Sequence, residues 1–260
     1  MIHEHAGLPD GGLILLGIVV LAIGYDVLAA RVGGWPWWRT MLFLTGCTLL
    51  MAAFLPAGGG FREHMARHLV IGMLAPLGLV LGAPVTLLLR GLPRAAGRRL
   101  GQLVNGLGPI AHPVVALVLN LGGLALLYFT PFYGWTAAHP VAHLAVQVHF
   151  LLAGYLFTWV VAGPDPAPRR ISVPARLVVL GVAVAFHAIV SQLMYAGAGV
   201  DLPVPVAERQ AGATLMYYGG DLGELLVAAA LVSGWRPRRA GRTRRPHPAA
   251  HGGQVRTSPT

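Results

Sequence analysis

A chain of 260 residues could hold one or two soluble domains, but 55% of its residues are hydrophobic and only 11% are charged, against roughly 25% charged in an average soluble domain. The net charge of +10 invites a nucleic-acid reading, which fails because the arginines sort by loop instead of gathering on one folded face. A soluble globular domain and a nucleic-acid binder are therefore both excluded.

Seven segments carry about twenty mostly apolar residues each, the length an α-helix needs to cross ~30 Å of hydrocarbon. In chain order they are 13–32, 39–55, 64–89, 114–132, 141–161, 175–196 and 213–235. The first is read as a retained span and not a cleaved leader, because residues 1–12 contain no Lys or Arg and carry Glu4 and Asp10. Pro76 and Pro84 should kink the third span. Trp35, Trp37, Trp38, Trp159 and Trp235 fall near span ends, where an aromatic belt belongs. The links between spans are rich in Gly and Pro and too short for a soluble domain. The fold class that follows is an all-α bundle of seven transmembrane helices over 13–235, with a short arm at 1–12 and an Arg-rich, disordered tail at 236–260.

Charge orients this bundle. With the N-terminus outside, sixteen of the nineteen arginines fall on the cytoplasmic side, and only Arg62, Arg67 and Arg209 fall outside. There is no Lys. The positive-inside rule then places the N-terminus outside and the C-terminus in the cytoplasm of a bacterial inner membrane, with the basic loops drawn to anionic lipid headgroups. The single Cys47 permits neither an intrachain disulfide nor a two-thiolate metal site. No phosphate loop, nucleophile elbow or zinc-protease helix is present, so the expectation is a protein that is not an enzyme.

Histidine is the informative residue. Eight of the eleven belong to the outer half in this orientation: His3 and His5 in the arm, His64 and His68 opening the third span, His139 and His143 opening the fifth, and His149 and His187 deeper. Residues i and i+4 share a helix face, so each H-x3-H pair can turn two imidazoles toward one ion. A rise of ~1.5 Å per residue puts His64, His68, His139 and His143 in the outer ~10 Å, and His149, His187 and Asp221 roughly 15 Å in, with Glu224 slightly deeper. Tyr217, Asp221 and Glu224 share one face of the seventh span; His187, Ser191 and Met194 share one face of the sixth.

Two layers of metal ligands are expected from this arithmetic. The outer layer holds four imidazoles, and the inner one His149, His187 and Asp221 with Met194 as a soft ligand. Imidazole suits copper, zinc and iron, while thioether favours cuprous copper, so copper is the expected ion. The alternative for the outer histidines is hydrogen bonding to headgroups and backbone, and for Asp221 and Glu224 hydrogen bonding between helices.

Several motifs resemble, in order, those of the CtaG-type cytochrome c oxidase assembly factors. They are His64-Met65-Ala66-Arg67-His68 with Met73-Leu74-Ala75-Pro76 and Gly82-Ala83-Pro84, then Leu127-Tyr128-Phe129-Thr130-Pro131-Phe132-Tyr133. His139-Pro140, His143, His149-Phe150-Leu151-Leu152 and Gly154-Tyr155-Leu156-Phe157 follow, then Gly163-Pro164-Asp165-Pro166, Phe186-His187-Ala188 and Gly219-Gly220-Asp221. The chain departs where many relatives carry Trp-His, at Tyr128-Phe129, and where many carry Asp-Gln, at Glu208-Arg209. The resemblance implies a seven-span protein needed to assemble a heme–copper respiratory oxidase. Its partners would be the oxidase subunits and an extracytoplasmic copper donor. The outer histidines would capture copper, and the inner layer would hold it at the depth of the oxidase's buried copper site. Two other classes stay open: a membrane heme or di-iron redox protein, and a copper or proton transporter. The second needs a polar path to the cytoplasm, for which the inner halves of the spans offer little beyond Asp26, Asn120 and Glu224.

Overall fold

The computed structural model describes residues 11–55 and 58–234. His3, His5, Trp235, His247, His251 and the Arg-rich tail lie outside the described residues, as does most of the expected arm. Among the described residues every regular element is a helix. Six helices or helix runs are long and apolar enough to cross a membrane, and a bent pair makes a seventh.

The first two spans are α1 (Gly11–Arg31) and α2 (Trp37–Phe54). The third is a run of 31 residues, Phe61–Gly91, built as α3 (Phe61–Leu69), a π-helical turn (Val70–Leu74), α4 (Ala75–Leu81) and α5 (Pro84–Gly91). Its irregularity follows from the two expected prolines. Pro76 has no N–H to give the carbonyl of Gly72 four residues earlier, and the backbone widens into the π turn just before it. Pro84 constrains the residue ahead of it. Ala83 there adopts φ 53°, the one non-glycine residue with positive φ among those described. Two side chains hold that break: Tyr25 donates its hydroxyl to the Gly82 carbonyl at 2.7 Å, and Asp165 accepts from the N–H groups of Val85 and Thr86.

After the third span comes α6 (Arg94–Gly106), an amphipathic helix where only a link is expected from the sequence. Arg94 and Arg98 are exposed while Val104 is buried against the bundle. The fourth span is α7 (Pro113–Tyr128), which Thr130 and Pro131 break from α8 (Phe132–Ala138) by an 81° bend. The remaining spans are α9 (Pro140–Val161), α10 (Val173–Ala196) and α11 (Val206–Ser233). The last begins two turns earlier than hydropathy indicated, because Glu208, Arg209 and Gln210 dilute the apolar run without breaking the helix.

Spans three to seven close on one another: α3 packs on α11, α11 on α10, α10 on α7, α7 on α9, and α9 on the π turn and α4. The first two spans pack outside this ring, α2 against α4 and α1 against α2 and α5. Small residues set the close contacts, as bilayer helix packing requires. A Cβ on Gly46 would meet the backbone N of Leu79 at 2.7 Å, and one on Gly78 the carbonyl of Leu42 at 2.7 Å, so α2 and α4 touch backbone to backbone. Outward faces carry exposed Leu13, Leu16, Val20, Val118 and Val178, the apolar surface that lipid demands. Trp37 and Trp38 are exposed near a helix start, but Trp159 turns into the core beside Phe157 and Val160. That residue departs from the aromatic-belt expectation.

Candidate functional site

The third and fifth spans bring two of the expected outer histidines together. His64 and His143 face each other with ring centroids 5.9 Å apart. Nε2 of His64 lies 3.2 Å from the hydroxyl of Tyr128, and that hydroxyl also donates to the sulfur of Met65 at 3.8 Å. Tyr133 presents its ring edge-on to His64 at 5.1 Å, and Nε2 of His143 lies 3.1 Å from Gln147 Nε2. His64, His143 and Gln147 border a small cavity of about 20 Å³, which Arg67 and His68 also line. Tyr128 is completely buried. It contributes a hydroxyl that orients His64. Tyr128→Phe should lower stability by about 1 kcal/mol through loss of that hydrogen bond, read as thermal unfolding in detergent. An unchanged melting curve would mean the bond is not made.

His139 does not join this pair. It precedes Pro140, which starts α9, so its backbone is extended at φ −126° and ψ 100°. The i, i+4 geometry therefore does not extend to it. The ring stacks on Trp135 at 4.8 Å, with Nδ1 2.7 Å from the Trp135 carbonyl, and is exposed.

His149 is also displaced. Six residues from His143 is about 240° around a helix, and its ring turns out of the bundle onto α7. There Nε2 lies 3.2 Å from the Leu119 carbonyl and abuts Gly123. It borders an apolar groove of about 620 Å³ between the fourth and fifth spans, not the centre of the bundle.

The centre holds a second cavity of about 40 Å³, bordered by all five ring spans. Its polar lining is His68, Asn120, Thr158, His187 and Glu224, with Met73 the thioether. Nδ1 of His187 lies 3.4 Å from Oε1 of Glu224. Both residues are more than nine-tenths buried, and both have a second polar atom, Nε2 and Oε2 respectively, without a hydrogen-bond partner.

The inner layer thus differs from the expected one. Asp221 is half-buried and does not border the cavity; the acid that does is Glu224, one helix turn on. The packing of α11 decides this. Gly220 lies flat against the His187 ring and Gly223 against the Met73 methyl, so the 220–224 face turns inward and Asp221 sits about 100° away from it. Met194 is completely buried, two turns from His187, in an apolar cluster with Met65, Tyr128, Phe150 and Met216. The thioether at the cavity is instead that of Met73, the first residue of the Met73-Leu74-Ala75-Pro76 motif. Among the described residues, no group of three or more His, Cys, Asp or Glu side chains stands close enough to hold one metal ion.

Three relatives are similar over about 84% of this chain. Uncharacterized proteins of Mycobacterium bovis and Mycobacterium tuberculosis are each 35% identical over 250 residues, and one of Mycobacterium leprae is 32% identical over 249. The matched region is 37–38% of each relative, so the chain spans little more than a third of the length of the curated relatives it matches. No solved structure matches it. The family model described as cytochrome c oxidase caa3 assembly factor matches residues 19–238, from within the first span to just past the last. With that match laid over the ordered histidine, proline and glycine motifs, the chain belongs to the cytochrome c oxidase caa3 assembly factor family.

Proposed function

We propose that this chain supplies copper to a heme–copper oxidase during its assembly, taking up the ion between His64 and His143 at the extracytoplasmic end of the bundle. The observation that carries this reading is the pairing of those two imidazoles across the third and fifth spans beside a small cavity. Imidazole is a copper ligand, and cuprous ion accepts as few as two donors. A structural metal site, by contrast, closes four ligands around its ion. An open two-imidazole seat holds its cargo by exchangeable bonds, which suits a donor. The arginine distribution supports an orientation with this end outside a bacterial inner membrane, where an extracytoplasmic copper donor would reach it. The recipient would be an oxidase subunit contacting the bundle within the bilayer. Copper is cargo in this scheme, and the chain's part is capture and release with no reaction catalysed.

The test is copper content of the detergent-purified chain after loading with cuprous ion, wild type beside His64→Ala/His143→Ala, with oxidase activity measured in cells carrying each. Loss of both ligands should lower copper affinity about 100-fold or more and cut oxidase activity while the protein still accumulates in the membrane. A double variant that keeps its copper and restores full oxidase activity would overturn the reading.

A further inference from the structure

The central cavity has no part in the uptake just described, yet a buried imidazole and a buried carboxyl group meet at its edge. Glu224 lies about two thirds of the way along a 28-residue helix, at a depth where ionisable side chains are expensive and mark functional sites. A helix–helix hydrogen bond alone would explain Nδ1 of His187 against Oε1 of Glu224 at 3.4 Å. It does not explain why Nε2 of one and Oε2 of the other are both left without a partner, since buried polar groups are ordinarily satisfied. Nor does it explain the space. The two residues border a void of about 40 Å³ together with Met73, Asn120 and Thr158, and a single water needs only about 10–15 Å³. An imidazole, a carboxylate and a thioether side chain border one space large enough for one ion and a water.

From this geometry we infer that His187 and Glu224 form a second, membrane-buried copper station, with Met73 as its soft ligand. A cation there meets the carboxylate charge and occupies both orphaned atoms at once. His68 connects it to the outer pair. His68 and Phe150 border both cavities, their rings edge to face at 4.3 Å, so they are the wall between the two. Rotation of one imidazole moves a ligand from the His64–His143 side to the His187–Glu224 side. The π turn that follows, Val70–Leu74, belongs to a class of helix defect common at functional sites, and it carries Met73. An ion would therefore pass inward by ligand exchange along one helix, ending well inside the bilayer.

This inference rests on copper being the cargo, and the experiment separates the two claims. Cuprous ion is titrated into the detergent-purified full chain, and the stoichiometry and X-ray absorption of bound copper are recorded. Wild type should bind two equivalents. Glu224→Gln and His187→Gln should each keep one, bound by nitrogen only, whereas His64→Ala/His143→Ala should keep the other, with a sulfur contribution. His68→Leu should slow loading of the inner equivalent about tenfold or more, in the range typical for groups that support a metal site. Gln at either position keeps a hydrogen-bonding partner for its neighbour, so a folded variant is expected from at least one. If both bind copper as wild type does, the inner station is wrong. If a single equivalent is lost on removing the outer pair and is indifferent to Glu224→Gln, the uptake reading stands without this inference. If a single equivalent is lost with Glu224→Gln and kept without the outer pair, the station stands and the uptake reading falls.

Discussion

Gly154→Ala is expected to destabilise the protein by about 3 kcal/mol, the upper end of the range for overpacking. Gly181→Ala, in the middle of α10, should be neutral or stabilising by about 0.5–1 kcal/mol. The two substitutions add the same methyl group to the same kind of helix. At Gly181 nothing lies within 4 Å of the new Cβ, so only the better helix propensity of alanine counts. At Gly154 the Cβ would point into the Gly72 carbonyl oxygen and stand 2.8 Å from the Gly72 carbonyl carbon. Backbone cannot rotate aside as a side chain can, so the fifth span must move off the third. Pro76 has no N–H to give the Gly72 carbonyl, and the Gly154 Cα lies against that oxygen, a weak but recurrent contact between helices. Separating the spans here would also disturb Phe150 and Met73, which border the central cavity, so the copper binding we propose there should fall along with stability. The check is thermal unfolding of both variants in the same detergent. Equal melting temperatures would show that the Gly72–Gly154 contact is not a constraint.

The parts of the molecule that were legible in the sequence are those set by one-dimensional rules. Hydropathy located the spans because a bilayer selects apolar length, and Pro76 and Pro84 announced a distorted third span. The H-x3-H spacing correctly put His64 and His68 on one face, because α3 is regular there. The same spacing misled at His139, which stands just ahead of Pro140 and outside α9, so the helical period does not reach it. Glu224 and Asp221 could not be separated by counting, since three residues leave two side chains only about 60° apart on a helix. What separates them is Gly220 lying against the His187 ring, a contact between residues 33 apart. His149 fell outside the centre for a related reason: depth along a span says nothing about rotation around it. The small-residue contacts were hidden by abundance, with 35 glycines in the chain and only some at crossings.

Asp165→Ala should lower stability by about 3 kcal/mol, because the charged acceptor serves three donors. Val85 N–H reaches Oδ2 at 3.0 Å, while Thr86 N–H at 2.7 Å and the Thr86 hydroxyl at 2.5 Å reach Oδ1. These N–H groups open α5 and have no carbonyl within the helix to meet. The carboxylate does for them what an N-cap residue does from the preceding position, but from the fifth-to-sixth link, some eighty residues away in sequence. Ala83 in the left-handed region cannot supply a side-chain oxygen, so nothing local replaces Asp165. Its own loop is held in turn: Arg170 donates to the carbonyls of Gly163 and Asp165. Asp165→Asn keeps the shape and one acceptor oxygen but removes the charge that favours a helix N-terminus, which is worth about 0.3–1 kcal/mol near a surface and more when buried. Its loss should lie between wild type and alanine. Thr86→Val removes a single hydroxyl bond and should cost about 1 kcal/mol. The ordering Ala above Asn and Val, measured by thermal or denaturant unfolding in detergent, is the signature of a cap formed across the fold. Equal, small losses for all three would reduce Gly163-Pro164-Asp165-Pro166 to a simple turn. If the cap holds the third span closed at Ala83, Asp165→Ala should also weaken copper binding at the far end of that same span. Asp165 borders neither cavity, so such a change would reach the proposed copper ligands only through the third span, which carries His64 and His68.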